Sequence, residues 1–308
     1  MFVLHQIPSR PVRWRRPVVA IGIFDGVHRG HQTILRRAAA RAAALGATPA
    51  AITFYPHPLA VLAPGKLPPL LLSLEQRLRS FSECGIRSCL VIPFTRSFSR
   101  WKPDRFVRQL LVERLRVREV VVGHDFGFGA GRAGDVETLK ALGRRWGFRV
   151  RIVGPVVRGG GRISSHRIRE MIRAGRLSVA ARRLGKPPTV VGRVVRGSGR
   201  GRRIGFPTAN LRLEAGLLPP VGVYAVSVRV GPGSRPRGGM ANVGLRPTFT
   251  RSPARSPLLE VHLFGFRGSL YGRRLEVGFL RRLRPERRFA SATALARQLR
   301  KDAARALP

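Results

Sequence analysis

Hydrophobic and polar positions in the first half of the chain follow two recurring patterns. Short uninterrupted apolar runs are typical of buried strands, whereas stretches with an apolar residue every three or four positions are typical of amphipathic helices. The runs predict strands over residues 17–24, 49–55, 88–94, 117–123 and 149–156. The amphipathic stretches predict helices over residues 31–46, 72–85, 103–115, 135–147 and 164–185. Because strands and helices alternate, the pattern predicts right-handed βαβ units and a parallel sheet.

The second half has a different pattern, with short segments of alternating side chains between Gly and Pro turns. This pattern is typical of an antiparallel barrel or sandwich. The strands are predicted over residues 189–199, 221–231, 238–244, 257–266 and 273–283. A closing helix is predicted over residues 291–306, with Ser291 as its N-cap. Because "LGKPP" (184–188) interrupts the helical pattern, we predict one domain over residues 1–185 and another over 186–308.

The composition favours a folded protein with an unusually basic surface. Apolar residues make up 44% of the 308 residues, which is enough for a packed core and excludes wholesale disorder. A formal net charge of +44 favours anionic partners. However, the chain has five lysines against 54 arginines and is rich in Ala, Gly and Pro, which indicates a compositional bias of the coding genome. We therefore interpret most of the charge as a solvated surface and expect no specific nucleic-acid partner.

Cysteine usage and the length of the apolar runs bear on the location of the protein. The two cysteines, Cys84 and Cys89, match no zinc or disulfide framework and suit a reducing compartment. The first ten residues contain no apolar stretch of signal-peptide length, and no apolar run is long enough for a membrane helix. We therefore expect a cytoplasmic protein with no membrane partner.

The stretch "GIFDGVHRGHQTIL" (22–35) follows the first strand and carries the first candidate chemistry. A helix N-terminus at the carboxyl edge of a parallel sheet offers free N–H groups to an anion, and Gly22, Gly26 and Gly30 allow close backbone approach. His28 and His31 can donate to phosphate oxygens and stabilise charge on a leaving pyrophosphate. A plain glycine-rich loop and a metal site that includes Asp25 are the two alternatives.

Two further segments support the phosphate interpretation. "TFYPHP" (53–58) follows the second strand and "GHDFGFGAGRAGD" (123–135) follows the fourth. The carboxyl ends of parallel strands meet at one edge of a sheet, so the three segments are expected to face one crevice.

In the second half, "GSGRGRRIGFPTAN" (197–210) is the most specific stretch. It combines a glycine-rich loop, which includes Gly201, with a hydroxyl at Thr208 and an amide at Asn210. Hydroxyl and amide oxygens suit a hydrated Mg²⁺ that also contacts ATP phosphates. The alternative is a structural Gly/Pro hairpin, which would explain the glycines but not the hydroxyl and the amide.

These motifs resemble those of the bacterial bifunctional riboflavin kinase/FAD synthetase family. "HRGH" (28–31) and "RISSHRIRE" (162–170) are similar to the two signatures of its nucleotidylyltransferase-type domain. Six segments of the second half resemble the riboflavin kinase domain in its order: "VVRGSGRGRRIGFPTANL", "PPVGVYAV", "ANVGLRPTF", "LLEVHLF", "LYG" and "RPERRF". The resemblance implies a Rossmann-like α/β domain with a parallel sheet, followed by a six-stranded antiparallel β-barrel with a C-terminal helix. It implies phosphorylation of riboflavin to FMN and adenylylation of FMN to FAD, each with ATP.

The resemblance also implies roles for individual residues. In the first domain, His28 and His31 hold the ATP phosphates as catalytic residues. Further ATP- or phosphate-binding positions of that domain are Gly22, Asp25, Gly30, His57, Arg162, Ser165 and Arg169, and Asp125 is placed at the flavin. In the second domain, Glu260 matches the carboxylate that accepts the proton of the riboflavin 5′-hydroxyl. Gly201, Thr208 and Asn210 match ATP positions, with Thr208 and Asn210 at Mg²⁺, and Arg284, Glu286 and Phe289 match a segment near the flavin.

Departures from the family pattern define the alternatives. His166 stands where the family usually has threonine, and Ile23 stands at a position that is often asparagine. In addition, Gly265 and Ser269 replace aspartates that commonly flank the "LYG" segment. The second hypothesis is therefore a riboflavin kinase with weak or altered adenylyltransferase activity, and a third is an arginine-rich nucleic-acid-binding protein. The expected partners are riboflavin, FMN and ATP, and the assembly state is left open between a monomer and a homo-oligomer.

Overall fold

The structure, a computed structural model, describes residues 1–157, 161–197, 200–245 and 257–306. The chain divides into two units. The first consists of Met1–Pro68 and Leu74–Ser164, and the second of Pro69–Ser73 and Ser165–Pro308. By this division the second unit begins ahead of the boundary predicted at residues 185–186.

A six-stranded sheet forms the centre of the first unit. Its strands are β1 (Phe2–Leu4), β2 (Val18–Ile21), β3 (Pro49–Tyr55), β4 (Ser88–Pro93), β5 (Glu119–Gly123) and β6 (Arg149–Val153). They are parallel and lie in the order β1-β4-β3-β2-β5-β6. The predicted parallel sheet is confirmed. Strand β1 was not predicted, because three residues are too few to show a period.

Helices connect these strands. They are α1 (Arg29–Ala44), α2 (Pro58–Leu62), α3 (Leu74–Glu83), α4 (Arg96–Ser99), α5 (Pro103–Arg105) and α6 (Val136–Trp146). Asp135 caps α6 by accepting the Thr138 N–H at 2.8 Å, and left-handed Gly147 ends it. The helix predicted over 103–115 is present, but after α5 it continues as a π-helix over Phe106–Arg114. The Leu115 N–H donates to the Leu110 carbonyl at 3.0 Å, which is the i→i−5 bond of a π-helix.

The core of the first unit explains the uninterrupted apolar runs. All four residues of β2 are buried, as are Val120, Val121 and Val122 of β5. Because helices cover both faces of a parallel sheet, its central strands are mostly apolar.

The segment predicted as one helix over 164–185 consists of two helices, α7 (Ser165–Arg173) and α8 (Leu177–Leu184). Gly175 between them is left-handed, with φ +70°, and the Arg176 N–H returns to the Met171 carbonyl at 2.8 Å. This geometry ends the first helix, because a left-handed residue cannot continue a right-handed helix.

The second unit contains a closed antiparallel barrel. Its strands are β7 (Thr189–Val195), β8 (Ala209–Ala215), β9 (Gly222–Val230), β10 (Arg237–Leu245), β11 (Pro257–Leu263) and β12 (Arg274–Arg284), in the order β10-β11-β8-β7-β12-β9. A short helix, α9 (Arg200–Arg203), precedes β8, and α10 (Ala292–Ala306) follows β12. Six strands and the C-terminal helix confirm the fold expected from the resemblance. The sixth strand, β8, was absent from the strands predicted by periodicity.

Helix α10 packs against the outer face of the barrel. Its Leu299 and Ala303 contact a cluster that includes Val223, Met240 and Leu283. The helix begins where predicted, because Ser291 Oγ accepts the Ala294 N–H at 3.1 Å. Of the helices in the described ranges, none has the length and hydropathy to cross a membrane.

Candidate active sites

The strand order of the first unit defines a crevice at one edge of the sheet. From β2 the chain moves outward through β3 and β4, and it then returns to β5 on the other side of β2. The loops that leave the carboxyl ends of β2 and β5 therefore diverge, and ligands of open α/β sheets bind at such a switch point. The β2 loop carries the His28–His31 turn and the β5 loop carries Asp125.

His28 is built into the start of α1. It is the N-cap residue, and its Nδ1 accepts the His31 backbone N–H at 3.3 Å. Because Nδ1 acts as the acceptor, the proton of the neutral ring lies on Nε2, where it can be donated to a ligand. Burial lowers the pKa of His28 to about 4, against the smaller raising effects of its own backbone hydrogen bond and of Asp125. His28 is therefore a neutral donor near pH 7.

The His31 ring stacks on the His28 ring, with centroids 3.6 Å apart and planes 17° from parallel. Burial, followed by the proximity of His28, lowers the pKa of His31 well below its usual value. Within the described part of the chain, the buried His31 Nδ1 has no hydrogen-bond partner. A buried polar atom without a partner is costly, and a ligand can supply the missing bond.

Glycines keep the space around this turn open. A Cβ on Gly30 would lie 3.2 Å from His28 Cε1 and Nδ1, and one on Gly22 would lie 3.0 Å from Phe24 Cζ. Gly26 is left-handed, with φ +84°. Phe24 and Val27 also have positive φ values, of +53° and +38°, although neither is glycine. Such strain costs about 1–3 kcal/mol per residue and concentrates at functional sites.

The structure brings Asp125 and Arg162 to the side of His28. Arg162 Nη2 lies 2.6 Å from Asp125 Oδ2, and the charge of Asp125 acts on His28. Asp25 is buried and interacts electrostatically with Arg77. His57 is the N-cap of α2 and accepts the Leu59 N–H on Nδ1 at 3.1 Å.

Arg77, which was not among the predicted site residues, is buried behind the turn and donates to the Ile23 carbonyl. The sequence pattern that could have identified it is a charged residue on the buried face of α3, one helical turn before Phe81.

The remaining residues of the first predicted domain open the second unit. Ser165 is the first residue of α7. Arg169 is buried, and its Nε donates to the Pro69 carbonyl at 2.8 Å. His166 is mostly exposed and pairs with Glu170, with Nε2 and Oε1 3.2 Å apart.

A row of polar side chains crosses three strands of the barrel. Asn210 of β8 lies directly opposite Glu260 of β11, and Glu260 lies opposite Asn242 of β10. Their chain neighbours Leu211, Leu259 and Val243 fill the barrel core. Because side chains alternate along a strand, the polar row lies on the outer face.

Two glycines, Gly197 and Gly201, leave room for the side chains of Asn210 and Thr208. A Cβ on Gly197 would lie 2.0 Å from Asn210 Nδ2, and one on Gly201 would lie 3.1 Å from Thr208 Oγ1. His262 Nδ1 lies 2.8 Å from the Pro207 carbonyl and thereby holds the residue before Thr208. His262 was missed because a histidine on a strand carries no signal of its contact 55 residues away.

Asn242 links the polar row to Glu286. Its Nδ2 donates to Glu286 Oε1 at 3.2 Å, while its buried Oδ1 has no partner among the described residues. Gly244 allows this contact, because a Cβ there would lie 2.9 Å from Glu286 Oε1. Asn242 was also missed, although an asparagine inside an apolar strand was a detectable signal.

Arg284 is directed toward α10, where its Nε donates to the buried Asp302 Oδ2 at 2.8 Å. Its guanidinium also lies 5.5 Å from the Phe289 ring, and Arg287 lies 4.8 Å from the same ring. Both guanidinium groups are therefore within cation–π distance of the Phe289 ring.

Oxygen donors suited to Mg²⁺ are present on the barrel. Thr208 Oγ1 and the Asn210 carboxamide are hard oxygen ligands, and Glu260 lies beside Asn210. Gly197 and Gly201 lie against these two side chains, where a Cβ would meet them at 2.0 Å and 3.1 Å. In the described ranges, no group of three or more His, Cys, Asp or Glu side chains has the arrangement of a metal site.

Two known protein families match the chain, one in each half. The FAD synthetase family model matches residues 11–167, and the riboflavin kinase family model matches residues 184–307. A bifunctional riboflavin kinase/FMN adenylyltransferase of Escherichia coli K12 is 40% identical over 285 residues, which cover 92% of this chain and 90% of that protein. The protein of the same description from Bacillus subtilis is 35% identical, over 93% and 90% of the two chains. Among solved structures, a Streptococcus pneumoniae protein described as a macrolide-efflux protein superposes with a TM-score of 0.84 at 31% identity, covering 98% of this chain and 97% of its own.

Proposed function

Because the chain belongs to the bifunctional riboflavin kinase/FMN adenylyltransferase family, we propose that it converts riboflavin to FMN and FMN to FAD at two separate sites. One observation carries this proposal: two family models match successive parts of the chain, and each of the two parts contains a polar site. Riboflavin, FMN and ATP are the substrates. We assign the adenylyltransferase activity to residues 1–185 and the kinase activity to residues 186–308.

In adenylyl transfer, a phosphate oxygen of FMN attacks the α-phosphorus of ATP. The bond from that phosphorus to the bridging oxygen breaks, and pyrophosphate leaves. Such a step needs positioning and charge stabilisation rather than a covalent nucleophile. His28 Nε2–H, the free Nδ1 of His31 in its N–H form and the first N–H groups of α1 supply hydrogen bonds to the phosphates.

Other residues of this site are proposed as ligands for substrate. Gly22, Asp25, Gly30 and His57 line the nucleotide side, and Asp125 contacts the flavin side. Arg162 is proposed to bind phosphate, and phosphate binding by Ser165 and Arg169, which belong to the second unit, stays a prediction from the family pattern. The Ile23 side chain is dispensable in this scheme, because Ile23 contributes its backbone carbonyl to the turn.

In the kinase reaction, Glu260 accepts the proton of the riboflavin 5′-hydroxyl while that oxygen attacks the γ-phosphorus of ATP, and ADP leaves. Mg²⁺, when bound, neutralises charge on the transferred phosphoryl group. Thr208 and Asn210 would hold the ion, beside Gly201 in the ATP loop. The proposed flavin-binding residues of this domain are Arg284, Glu286 and Phe289. The ion pair with Asp302 holds Arg284 in place.

The assay that tests this function supplies purified protein with riboflavin, ATP and Mg²⁺ and separates the flavins by chromatography. We expect FMN to appear first and FAD to follow. FMN without FAD would instead support a kinase with a weak adenylyltransferase, the alternative suggested by His166 and Ile23 at positions where the family usually has other residues. Absence of any phosphorylated flavin would overturn both enzymatic functions and leave the nucleic-acid-binding hypothesis.

We also propose a cytoplasmic location, which the two buried free cysteines support. The homo-oligomer stays a prediction.

Two of the seven imidazoles are expected to remain neutral through the physiological range. Burial lowers both pKa values in the folded state, whereas an unfolded histidine titrates near pH 6.5. Stability from this pair is therefore present above about pH 6.5 and is lost as the pH falls from there toward 4. NMR of histidine-labelled protein measures the titrations, and His28→Gln and His31→Gln assign the signals. Titration of both rings near pH 6.5 would contradict the buried neutral pair.

Gly197→Ala is expected to raise KM for ATP in FMN formation. A methyl group there would occupy the position of the Asn210 amide and displace it from the ATP and Mg²⁺ site. Gly278→Ala in β12 is the matched control, because its Cβ would meet its nearest atom at an ordinary 3.5 Å. Initial rates at varied ATP concentrations measure the effect, and an unchanged KM would show that Asn210 has no part in ATP binding.

A further inference from the structure

An arginine is buried behind the phosphate turn of the first unit. Arg77 of α3 is 3% exposed, and its Nη1 donates to the Ile23 carbonyl at 2.8 Å and to Thr53 Oγ1 at 3.3 Å. Its charge interacts with buried Asp25, whereas its Nε has no hydrogen-bond partner in the described part of the chain. A buried guanidinium is costly to desolvate, and the unmade Nε bond adds to that cost. Stability alone gives this position little reason to carry a charge.

The contacts of Arg77 converge on one carbonyl. Thr53 Oγ1, from β3, also donates to the Ile23 carbonyl, at 3.1 Å. Two side chains from different elements therefore fix the peptide between Ile23 and Phe24. The orientation of this peptide sets the φ angle of Phe24, which is strained at +53°. Without these donors, rotation of the peptide would release the strain.

The same face of α3 also holds the side chain of Phe24. Phe81, one helical turn after Arg77, meets the Phe24 ring edge-on with centroids 5.3 Å apart. Phe24 in turn meets the His31 ring edge-on at 5.4 Å. The backbone and the ring of Phe24 are thus both held from α3, and the chain of contacts ends at His31.

We propose that Arg77 is a positioning residue for adenylyl transfer, which fixes the Ile23–Phe24 peptide so that His28 and His31 face the ATP phosphates. This inference rests on the proposed function of the first unit. Arg77 itself contacts no substrate. Its effect on the reaction passes through Ile23, Phe24 and His31.

The choice of substitutions follows from the geometry. Arg77→Met removes the charge and the donors but keeps an unbranched stem. Arg77→Lys keeps one charged donor, although it loses the planar fork that reaches two acceptors. Burial lowers the pKa of Arg77, and a lysine there would lose its charge more readily, so the rescue is expected to be partial. Thr53→Val removes only a hydroxyl from the same carbonyl and keeps the shape of the side chain.

The experiment measures FMN adenylylation by the full chain, with FMN formation from riboflavin as an internal reference. Arg77→Met is expected to lower kcat/KM for ATP by about 10²-fold, because displacement of catalytic groups by about 1 Å has costs of this size. KM for ATP should rise while KM for FMN stays at the wild-type value. Arg79→Met is the matched control, since Arg79 is on the same helix but is partly exposed and pairs with Glu75.

The double variant Arg77→Met/Thr53→Val separates positioning from simple destabilisation. If both residues act through the Ile23 carbonyl, their effects on log(kcat/KM) will be less than additive, and Arg77→Lys will recover part of the loss. Additive effects, or a lower kcat with both KM values unchanged, would indicate partial unfolding and overturn the proposal. Should Arg77→Met not fold, Thr53→Val alone must raise KM for ATP, and a wild-type value would overturn it.

The wild-type reaction separates a failure of the proposed adenylyltransferase function from a failure of the proposed role of Arg77. If wild-type protein makes no FAD, the proposed adenylyltransferase function fails. If wild-type protein makes FAD and Arg77→Met retains the wild-type kcat and KM for ATP, only the role of Arg77 fails.

Discussion

Glu260→Gln is expected to stop FMN formation while added FMN is still converted to FAD. Glu260 is the only carboxylate in the row formed with Asn210 and Asn242, and glutamine keeps its shape but cannot accept the hydroxyl proton. Loss of a general base costs about 10²–10⁴-fold in rate. Chromatography of the flavins formed from riboflavin, and separately from FMN, measures both steps in one preparation.

The control for this variant is Glu276→Gln on β12, which opposes Arg229 of β9 and lies outside the polar row. It should leave FMN formation near the wild-type rate. If Glu260→Gln instead lowered both steps together, the assignment of the two reactions to different parts of the chain would be wrong. If it lowered neither, Glu260 would not be the base.

His31→Ala is expected to have the opposite effect, with loss of FAD formation and intact FMN formation. The substitution removes a phosphate donor and also the ring that stacks on His28 and meets Phe24. Removal of one preorganised donor to developing charge costs about 10²–10³-fold in kcat. The measurement is the rate of FAD formation from FMN at saturating ATP.

His5→Ala serves as the matched control, since His5 lies on the exposed part of the same unit. It should leave both steps unchanged. Equal losses of FMN and FAD formation in His31→Ala would contradict a local role and would indicate unfolding of the chain. Wild-type FAD formation in His31→Ala would remove His31 from the catalytic residues.

Local patterns predicted the elements of the first unit well because both faces of its sheet are covered. The interior of a strand such as β3 is then buried and mostly apolar, and its bounds, Pro49–Tyr55, agree with the prediction. The same logic failed where local geometry departs from an ideal element. Gly175 divided a predicted helix, and Phe106–Arg114 formed a π-helix.

The candidate sites were predicted through motifs rather than through periodicity. Side-chain alternation alone reads Glu260 as an ordinary exposed residue of a strand, and only the order of six segments marked it. The register then placed Asn210 and Asn242 on either side of it. A register between distant strands depends on the whole closed barrel, so no local pattern could show that Asn242 joins this row.

By itself, the sequence determined the two fold classes and the elements that carry the motifs, and it marked two histidines and one carboxylate as candidate site residues. These features depend on local periodicity, turn residues and short motifs, which are contained in contiguous segments. Only the tertiary structure decided the neutral state of His28 and His31, the direction of Arg284 toward Asp302 and the place of Arg77 behind the turn. The reason is physical: burial, pKa and hydrogen-bond partners depend on residues that are distant in the chain and become neighbours only when it folds.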